Sequence, residues 1–197
     1  MHTENFIDGQ WRAGDGALFA SHDPATGDKV WEGRAASADD VGAAMAAANL
    51  AFPAWARRPV EERVAIARAF AKVIEAKKEE IAQAISREMG KALWDARGEV
   101  AAMIGKVEIS IRAQAERAGA REEKATFGAM ALSHHPHGVL AVFGPFNFPG
   151  HLPNGHIVPA LLAGNCVLFK PSELAPGVGA FIIEAWEEAG LPPGVLN

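Results

Sequence analysis

Two apolar segments near the carboxyl end of the sequence, joined by a helix-forming stretch, constrain the fold most. The segment 138–143 runs into the turn GPFNFP, and a second apolar segment, 165–169, is followed by Lys170. Strand, turn, helix and strand in this order form the first half of a Rossmann-like parallel sheet. The sequence therefore predicts an α/β fold in which Asn147, Lys170 and Glu173 all follow strand ends. Ligands of such sheets bind at this carboxyl edge.

The residues before this unit predict two β-hairpins and three long amphipathic helices. Turn signals at 8–9 and 23–27 separate short extended segments. Ser37, followed three residues later by Asp40, resembles a helix cap. Apolar residues then recur with the 3.6-residue period of a helix. They are Val41, Met45, Ala48, Phe52 and Trp55, then Val60, Val64, Ala67, Phe70 and Ile74, then Val100, Ile104, Val107 and Ile111. We expect a joint at the polar run 77–80, before the apolar residues Ile81, Ile85 and Met89, and a helix stop at Gly90.

The sequence predicts three regions. Residues 1–118 hold the hairpins and helices, and 138–197 hold the first βαβα portion of the sheet, cut off at the lead-in to a third strand. Between them, 119–137 lack helical periodicity and are predicted to form an extended ribbon. An exposed ribbon usually needs a partner edge, so we expect it to contact another chain.

Composition limits the class of protein. Apolar residues make up 49% of the chain and the formal net charge is −5, so no basic patch favours nucleic acid. No apolar run approaches the roughly 20 residues that span a bilayer, and the amino terminus lacks a secretory signal. The single cysteine, Cys166, excludes an internal disulfide and a Cys-rich zinc site. We expect a soluble cytoplasmic protein that binds neither nucleic acid nor membrane.

Two common nucleotide-binding motifs are absent from the sequence. Gly150 and Gly155 have the spacing of a P-loop, but His156 and Ile157 stand where Lys and Ser/Thr are required. No Gly-x-Gly-x-x-Gly follows the first strand either. Any dinucleotide bound here must therefore use other contacts.

Histidines and the cysteine suggest two further sites, and both interpretations are weak. His134, His135 and His137 are clustered, but strand neighbours point to opposite faces and no other ligand is near in sequence, so no metal is expected. Cys166 could be a nucleophile, but it lies in an apolar strand, where free cysteine is usually a small buried hydrophobe. We interpret it as structural.

The polar residues at the strand ends allow two interpretations each. The amide of Asn147 can donate to a developing oxyanion without adding charge, or it can cap the following turn. The carboxylate of Glu173 can accept both hydroxyl protons of a ribose and repel a 2′-phosphate. Alternatively, Lys170 and Glu173 form a solvated ion pair at the mouth of a helix. Position alone leaves these alternatives open.

The segment 144–149, with Lys170-Pro-Ser-Glu173 beginning twenty-three residues after Asn147, resembles the aldehyde dehydrogenase superfamily. Hairpins, helices and ribbon match the order of its amino-terminal part, so the resemblance covers essentially the whole chain. The run 148–165 is most similar to the branch that oxidises N-succinylglutamate 5-semialdehyde in arginine catabolism. The resemblance implies an aldehyde substrate and NAD as the cofactor.

The resemblance also implies roles for individual residues. Asn147 stands at the position of the family's oxyanion-stabilising asparagine. Lys170 and Glu173, with Ser172 between them, match residues that hold the adenosine ribose, and the carboxylate favours NAD over NADP. His151 matches a position that lines the substrate tunnel, where its imidazole could meet a substrate carboxylate. The backbone segment that runs along the cofactor corresponds to Phe143, Gly144, Pro145 and Phe146.

Some implied parts of the enzyme lie outside these residues. In this family a cysteine thiolate attacks the aldehyde and a glutamate activates water, and both belong to a carboxyl-terminal part. Cys166 does not replace that cysteine, so we expect no turnover from the 197 residues alone. The ribbon 119–137 matches the family's oligomerisation arm and implies a homo-oligomer. The alternatives are a non-catalytic cofactor-binding or assembly module, a dehydrogenase for another aldehyde, or another Rossmann-type nicotinamide enzyme.

Overall fold

A computed structural model describes residues 2–197 and shows hairpins and helices ahead of a βαβα unit. The first hairpin pairs β1 (Asn5–Ile7) with β2 (Gln10–Arg12), and the second pairs β3 (Leu18–His22) with β4 (Lys29–Arg34). The helices that follow are α1 (Ala38–Arg57), α2 (Val60–Ala76), α3 (Lys78–Met89) and α4 (Leu93–Arg117). The remaining elements are β5 (Arg121–Ala125), β6 (Gly128–Leu132), β7 (Val139–Phe143), α5 (His151–Leu162), β8 (Cys166–Lys170) and α6 (Pro176–Glu188).

The local signals that start and end the helices act as predicted. Ser37 Oγ accepts the N–H of Asp40 at 3.2 Å, and the Asp40 carboxylate accepts the N–H of Ser37 at 2.8 Å, which completes a capping box. The prediction of three long helices needs a correction, because the second segment is divided at the expected joint. Lys77 is the C-cap of α2 and the N-cap of α3, so four helices precede the sheet. Helix α3 ends at Gly90, whose φ of 66° favours glycine.

The predicted apolar stripe of α1 is only partly buried. Ala48 and Trp55 are in the core, whereas Val41 and Met45 are exposed. The helix packs mainly against β7 and β8. Ala44, between Val41 and Met45 in sequence, is buried, so the face of α1 that packs is centred on Ala44, Ala48 and Trp55 and leaves the other two residues beside it.

The βαβα unit has the predicted parallel order. Strands β7 and β8 pair in parallel, with Phe143 opposite Lys170 at their carboxyl ends. The final residues extend the sheet: Val167 donates its N–H to the Val195 carbonyl at 2.8 Å, and Asn197 donates to the Val167 carbonyl at 3.0 Å. This confirms the predicted lead-in to a third strand.

One hydrophobic core joins the helices to the sheet. It contains residues from α1 to α4 and from β7, α5, β8 and α6. Phe70 of α2 stacks on Trp186 of α6 with ring centroids 4.0 Å apart. Helix α4 packs along α5, so the position of α5 at the sheet edge depends on α4. No helix among residues 2–197 is both long and apolar enough to cross a membrane.

The segment between α4 and β7 contains an extended hairpin. Strands β5 and β6 form an antiparallel hairpin whose side chains are mostly exposed. Phe127 at its turn is 81% exposed, and Met130 and Leu132 are exposed as well. A two-stranded ribbon with exposed apolar side chains leaves both edges free to pair.

Candidate functional site

The ends of β7 and β8 bring the predicted site residues to one edge of the sheet. Phe143 and Lys170 are paired across the two strands, and the N–H of Gly144 donates to the carbonyl of Lys170 at 2.9 Å. The turns that carry Asn147 and Glu173 therefore start from neighbouring strand tips. The predicted juxtaposition at the carboxyl edge is confirmed.

Gly144 lets the two turns lie close together. A Cβ at this position would be 3.1 Å from Cγ of Pro153 and 3.2 Å from Cε2 of Phe169. These contacts are tighter than ordinary van der Waals packing, and both neighbours are in rigid rings. A side chain here would push the turn after β7 away from β8.

The side chain of Asn147 is exposed and makes no hydrogen bond with any other residue of 2–197. Helix α5 has Gly150 as its N-cap, and no side chain of the N-cap residue bonds there. The alternative interpretation, in which Asn147 caps this turn, is therefore not what the structure shows. The amide NH2 remains available to a ligand.

Lys170 and Glu173 form an exposed ion pair with Nζ and Oε2 2.7 Å apart. The hydrogen bond from Lys170 lowers the pKa of Glu173, so the carboxylate is ionised near neutral pH. Ser172 is buried and its Oγ accepts the N–H of Leu174 at 3.2 Å, which fixes the turn. Its side chain thus bonds within its own turn, whereas the carboxylate of Glu173 lies in solvent.

Two phenylalanines form an apolar surface beside this ion pair. Phe143 is 75% exposed and Phe146 is 57% exposed. Flat aromatic rings suit the faces of a nucleotide. Pro145 lies between them and is half-buried.

A buried glutamate occupies the amino terminus of α5. Glu99 of α4, whose side chain is 0% exposed, accepts the N–H of Gly150 at 2.9 Å and that of His151 at 3.1 Å. These are the first free donors of the helix, and the carboxylate is also favoured by the helix dipole. Glu99 therefore positions the start of α5.

A second buried glutamate occupies the amino terminus of α6. Glu88 of α3 accepts the N–H of Gly177 at 3.0 Å, the N–H of Val178 at 2.9 Å and the hydroxyl of Ser21 at 2.7 Å. Burial raises the pKa of Glu88, and these donors oppose the shift. In an ordinary dinucleotide fold the helix after the first strand binds the pyrophosphate. Here both helix ends already hold a protein carboxylate, which agrees with the missing glycine motif.

The same network reaches the loop that carries Asn147. The ammonium of Lys91 lies 2.6 Å from Glu99 Oε2 and 3.9 Å from the ring centroid of Phe148. Lys91 is only 11% exposed at its side chain, so both interactions occur in a poorly solvated place. Phe148 follows Asn147 directly, so this contact fixes one side of the asparagine's loop.

Glu88, Lys91 and Glu99 were not among the residues singled out from the sequence. A signal was present, because both glutamates interrupt apolar stripes. On α4 the buried residues are Ala96, Glu99, Val100, Met103, Val107 and Ser110. A carboxylate in such a stripe needs buried donors. The sequence alone does not show which donors these are.

His151 lies at the first turn of α5, facing α4. Its ring meets Phe148 edge-on, with centroids 6.4 Å apart, and its Nδ1 is buried without a hydrogen-bond partner among residues 2–197. Burial lowers the pKa of His151, and the charge of Lys106 adds to this while Glu99 opposes it. The imidazole is therefore neutral near neutral pH.

The other candidate groups lie away from the carboxyl edge. Cys166 is completely buried, and burial raises the pKa of its thiol to about 11, in agreement with a structural role. His137 donates its backbone N–H to Asn165, and the ring of His135 bonds to Ser133. Within 2–197, no three His, Cys, Asp or Glu side chains are grouped to hold a metal ion.

The sequence of this chain matches one family of known proteins over most of its length. A model described as "Aldehyde dehydrogenase family" matches residues 11–197. N-succinylglutamate 5-semialdehyde dehydrogenases of Paraburkholderia xenovorans and Burkholderia pseudomallei are each 58% identical to this chain over 195 residues. The match covers 99% of this chain and 40% of each relative. The chain thus spans about two fifths of the length of these relatives.

Solved structures share the fold over the same length. A putative aldehyde dehydrogenase of Burkholderia cenocepacia has a TM-score of 0.93 at 33% identity, covering 100% of this chain and 41% of its own. An aldehyde dehydrogenase mutant of Pseudomonas syringae, in complex with NAD+ and octanal, has a TM-score of 0.91 at 35% identity over 99% of this chain and 40% of its own. An NADP-dependent glyceraldehyde-3-phosphate dehydrogenase of Bacillus halodurans, complexed with NADP, has a TM-score of 0.92 at 30% identity over 100% of this chain and 43% of its own.

Proposed function

Because this chain belongs to the aldehyde dehydrogenase family, we propose that it is the amino-terminal, cofactor-binding part of an enzyme that oxidises N-succinylglutamate 5-semialdehyde to N-succinylglutamate. The observation that carries the substrate is the 58% identity, over 99% of the chain, to dehydrogenases named for it. That level of identity far exceeds the 28–35% shared with solved family members of other names.

The proposed role of Asn147 is to stabilise negative charge. When a nucleophile adds to an aldehyde, the carbonyl oxygen becomes an oxyanion. An amide NH2 donates to that oxygen without a charge of its own, so it binds the transition state better than the ground state. The exposed, unbonded side chain of Asn147 at the strand tip suits this task.

The residues at the strand tips also fit a nicotinamide dinucleotide, which accepts the hydride when bound. In our proposal, the exposed carboxylate of Glu173 accepts hydrogen bonds from the hydroxyls of the adenosine ribose, and Lys170 holds that carboxylate in place. Phe143, Gly144, Pro145 and Phe146 form the backbone and apolar surface along the cofactor. Ser172 supports the turn from inside.

We propose NAD rather than NADP because of the charge on Glu173. The carboxylate is ionised, since Lys170 lowers its pKa, and it would repel the 2′-phosphate of NADP. Related structures were solved with either cofactor, so the family alone does not decide between them. Replacing Glu173 by Gln should raise the preference for NADP over NAD.

We also propose that the intact protein is a homo-oligomer that assembles through the ribbon 119–137. The β5–β6 hairpin within it exposes Phe127, Met130 and Leu132. Strand pairing with a second copy would satisfy its free edges and bury these side chains.

The test is an activity measurement on a full-length enzyme that carries these 197 residues, with NADH formation followed by absorbance. We expect oxidation of N-succinylglutamate 5-semialdehyde with NAD, much slower oxidation with NADP, and a fall in kcat of about 10²- to 10³-fold for Asn147→Ala. Absence of turnover with this aldehyde, alongside turnover of another aldehyde, would refute the substrate. An Asn147→Ala enzyme with unchanged kcat would refute the role of the asparagine.

A further inference from the structure

Lys106 of α4 lies against α5 beside Gly155, which has no side chain to cover it. A Cβ built on Gly155 would lie 3.6 Å from Cε of Lys106 and 3.8 Å from its Nζ. The lysine is half-buried, and its ammonium end reaches α5 beside this glycine. A larger residue at position 155 would cover the ammonium group.

This ammonium group has no acidic partner among residues 2–197, unlike the other half-buried lysines described there. Lys77 pairs with Glu188 at 2.6 Å and Lys91 pairs with Glu99 at 2.6 Å, whereas no ion pair or hydrogen bond joins the Lys106 Nζ to another group. An ammonium group without a carboxylate partner in the protein can form charge-assisted hydrogen bonds with an anionic ligand.

His151 precedes Gly155 by one turn of α5. At a rise of about 1.5 Å per residue the two positions are about 6 Å apart along the helix axis. Nδ1 of His151 is buried with no acceptor nearby, so the tautomer with the proton on Nε2 is favoured for the neutral ring. The half-buried imidazole then presents one N–H donor, on the same face of α5 as Gly155.

We propose that Lys106 and His151 form the carboxylate-recognition site for the substrate, with Lys106 binding the succinyl carboxylate and His151 the α-carboxylate. This inference rests on the proposed function and adds the residue that selects the acidic end of the substrate. In this proposal the aldehyde lies at Asn147, before α5 begins, and the substrate extends along α5 past His151 to Gly155. Lys91 is not available for this role, because Glu99 already neutralises it.

The experiment compares two ligands and four proteins by isothermal titration calorimetry, using the full-length enzyme that carries these residues. The ligands are N-succinylglutamate and its methyl ester at the succinyl carboxylate. The proteins are wild type, Lys106→Met, Lys106→Arg and the control Lys72→Met, which removes an exposed lysine from α2. The ratio of kcat/KM for the aldehyde to that for its succinyl methyl ester is measured in parallel.

A charged hydrogen bond is worth about 10- to 100-fold in affinity. Lys106→Met should weaken binding of the acid by that factor, so that the acid and the ester bind with equal affinity. Lys106→Arg should restore part of the difference in affinity, and Lys72→Met should bind both ligands as wild type does. If Lys106→Met weakens the binding of acid and ester equally, or weakens the binding of neither, the inference is overturned. Turnover with NAD combined with equal binding of acid and ester would overturn this site alone. Lys106-dependent binding of the acid without NAD-dependent turnover would overturn the proposed function alone.

Discussion

Replacing Glu99 with Gln should destabilise the protein strongly, because it leaves the buried charge of Lys91 with only Asp95, 3.8 Å away and largely in solvent, as an acidic partner. The Glu99 side chain is completely buried and accepts hydrogen bonds from the N–H groups of Gly150 and His151 and from Lys91. Removing one partner of a buried ion pair typically costs about 3–5 kcal/mol. Gln still offers one acceptor oxygen, so we expect a loss near the lower end, about 3 kcal/mol.

The assay is urea unfolding followed by tryptophan fluorescence. With a slope of about 2 kcal/mol per molar urea for a chain of this size, a loss of about 3 kcal/mol moves the midpoint down by about 1.5 M. The matched control is Glu79→Gln, which breaks an exposed pair with Arg97 and should leave the midpoint close to that of the parent.

A double variant isolates the effect of the Lys91 charge. In Lys91→Met with Glu99→Gln both charges are gone while the amide oxygen still accepts the N–H groups of Gly150 and His151, so the protein should be more stable than Glu99→Gln alone. The reasoning is refuted if Glu99→Gln unfolds at the same urea concentration as Glu79→Gln, or if the double variant is the least stable of the set.

Three further predictions concern packing, pH and the thiol. Gly179→Ala places a Cβ 2.6 Å from Cβ of Pro171 and should lower the free energy of unfolding by about 1–3 kcal/mol. Gly105→Ala, at an open helical position, should raise the free energy of unfolding by up to about 1 kcal/mol in the same urea titration. Because burial raises the pKa of Glu88, its contribution to stability is full below the unfolded pKa near 4.5 and is lost as pH rises through the folded pKa. The Tm of the parent relative to that of Glu88→Gln should therefore fall as pH rises from the unfolded pKa through the folded pKa. A Tm difference that stays constant with pH would contradict a raised pKa of Glu88. Cys166 should resist a disulfide reagent near neutral pH in the native protein and react fully only after urea unfolding, so rapid native labelling would contradict its burial.

The local and sheet-level features were predictable because their signals are short in sequence. The alternation of strand, turn and helix predicted the parallel pairing of β7 and β8 and hence the edge shared by Asn147 and Glu173. The Ser37 capping box and the helix stop at Gly90 are likewise set by residues a few positions apart.

The buried glutamates that hold the helices around the site were not predictable in the same way. Glu99 bonds to backbone donors 51 and 52 positions away, and Glu88 bonds to donors 89 and 90 positions away. One sequence shows a carboxylate in an apolar stripe but not the partner that stabilises it. The exposure of Val41 and Met45 has a similar cause, since helix periodicity does not reveal which of two adjacent faces packs against the sheet.

The most direct test of the proposed function is a crystal structure of the full-length enzyme with NAD bound. The account predicts the nucleotide along residues 143–146 at the carboxyl edge of the sheet. The adenosine ribose hydroxyls should lie within hydrogen-bond distance of the Glu173 carboxylate, and the nicotinamide should lie on the side of Asn147. A nucleotide bound at the opposite end of β7 and β8, or a Glu173 that does not contact the ribose, would contradict it.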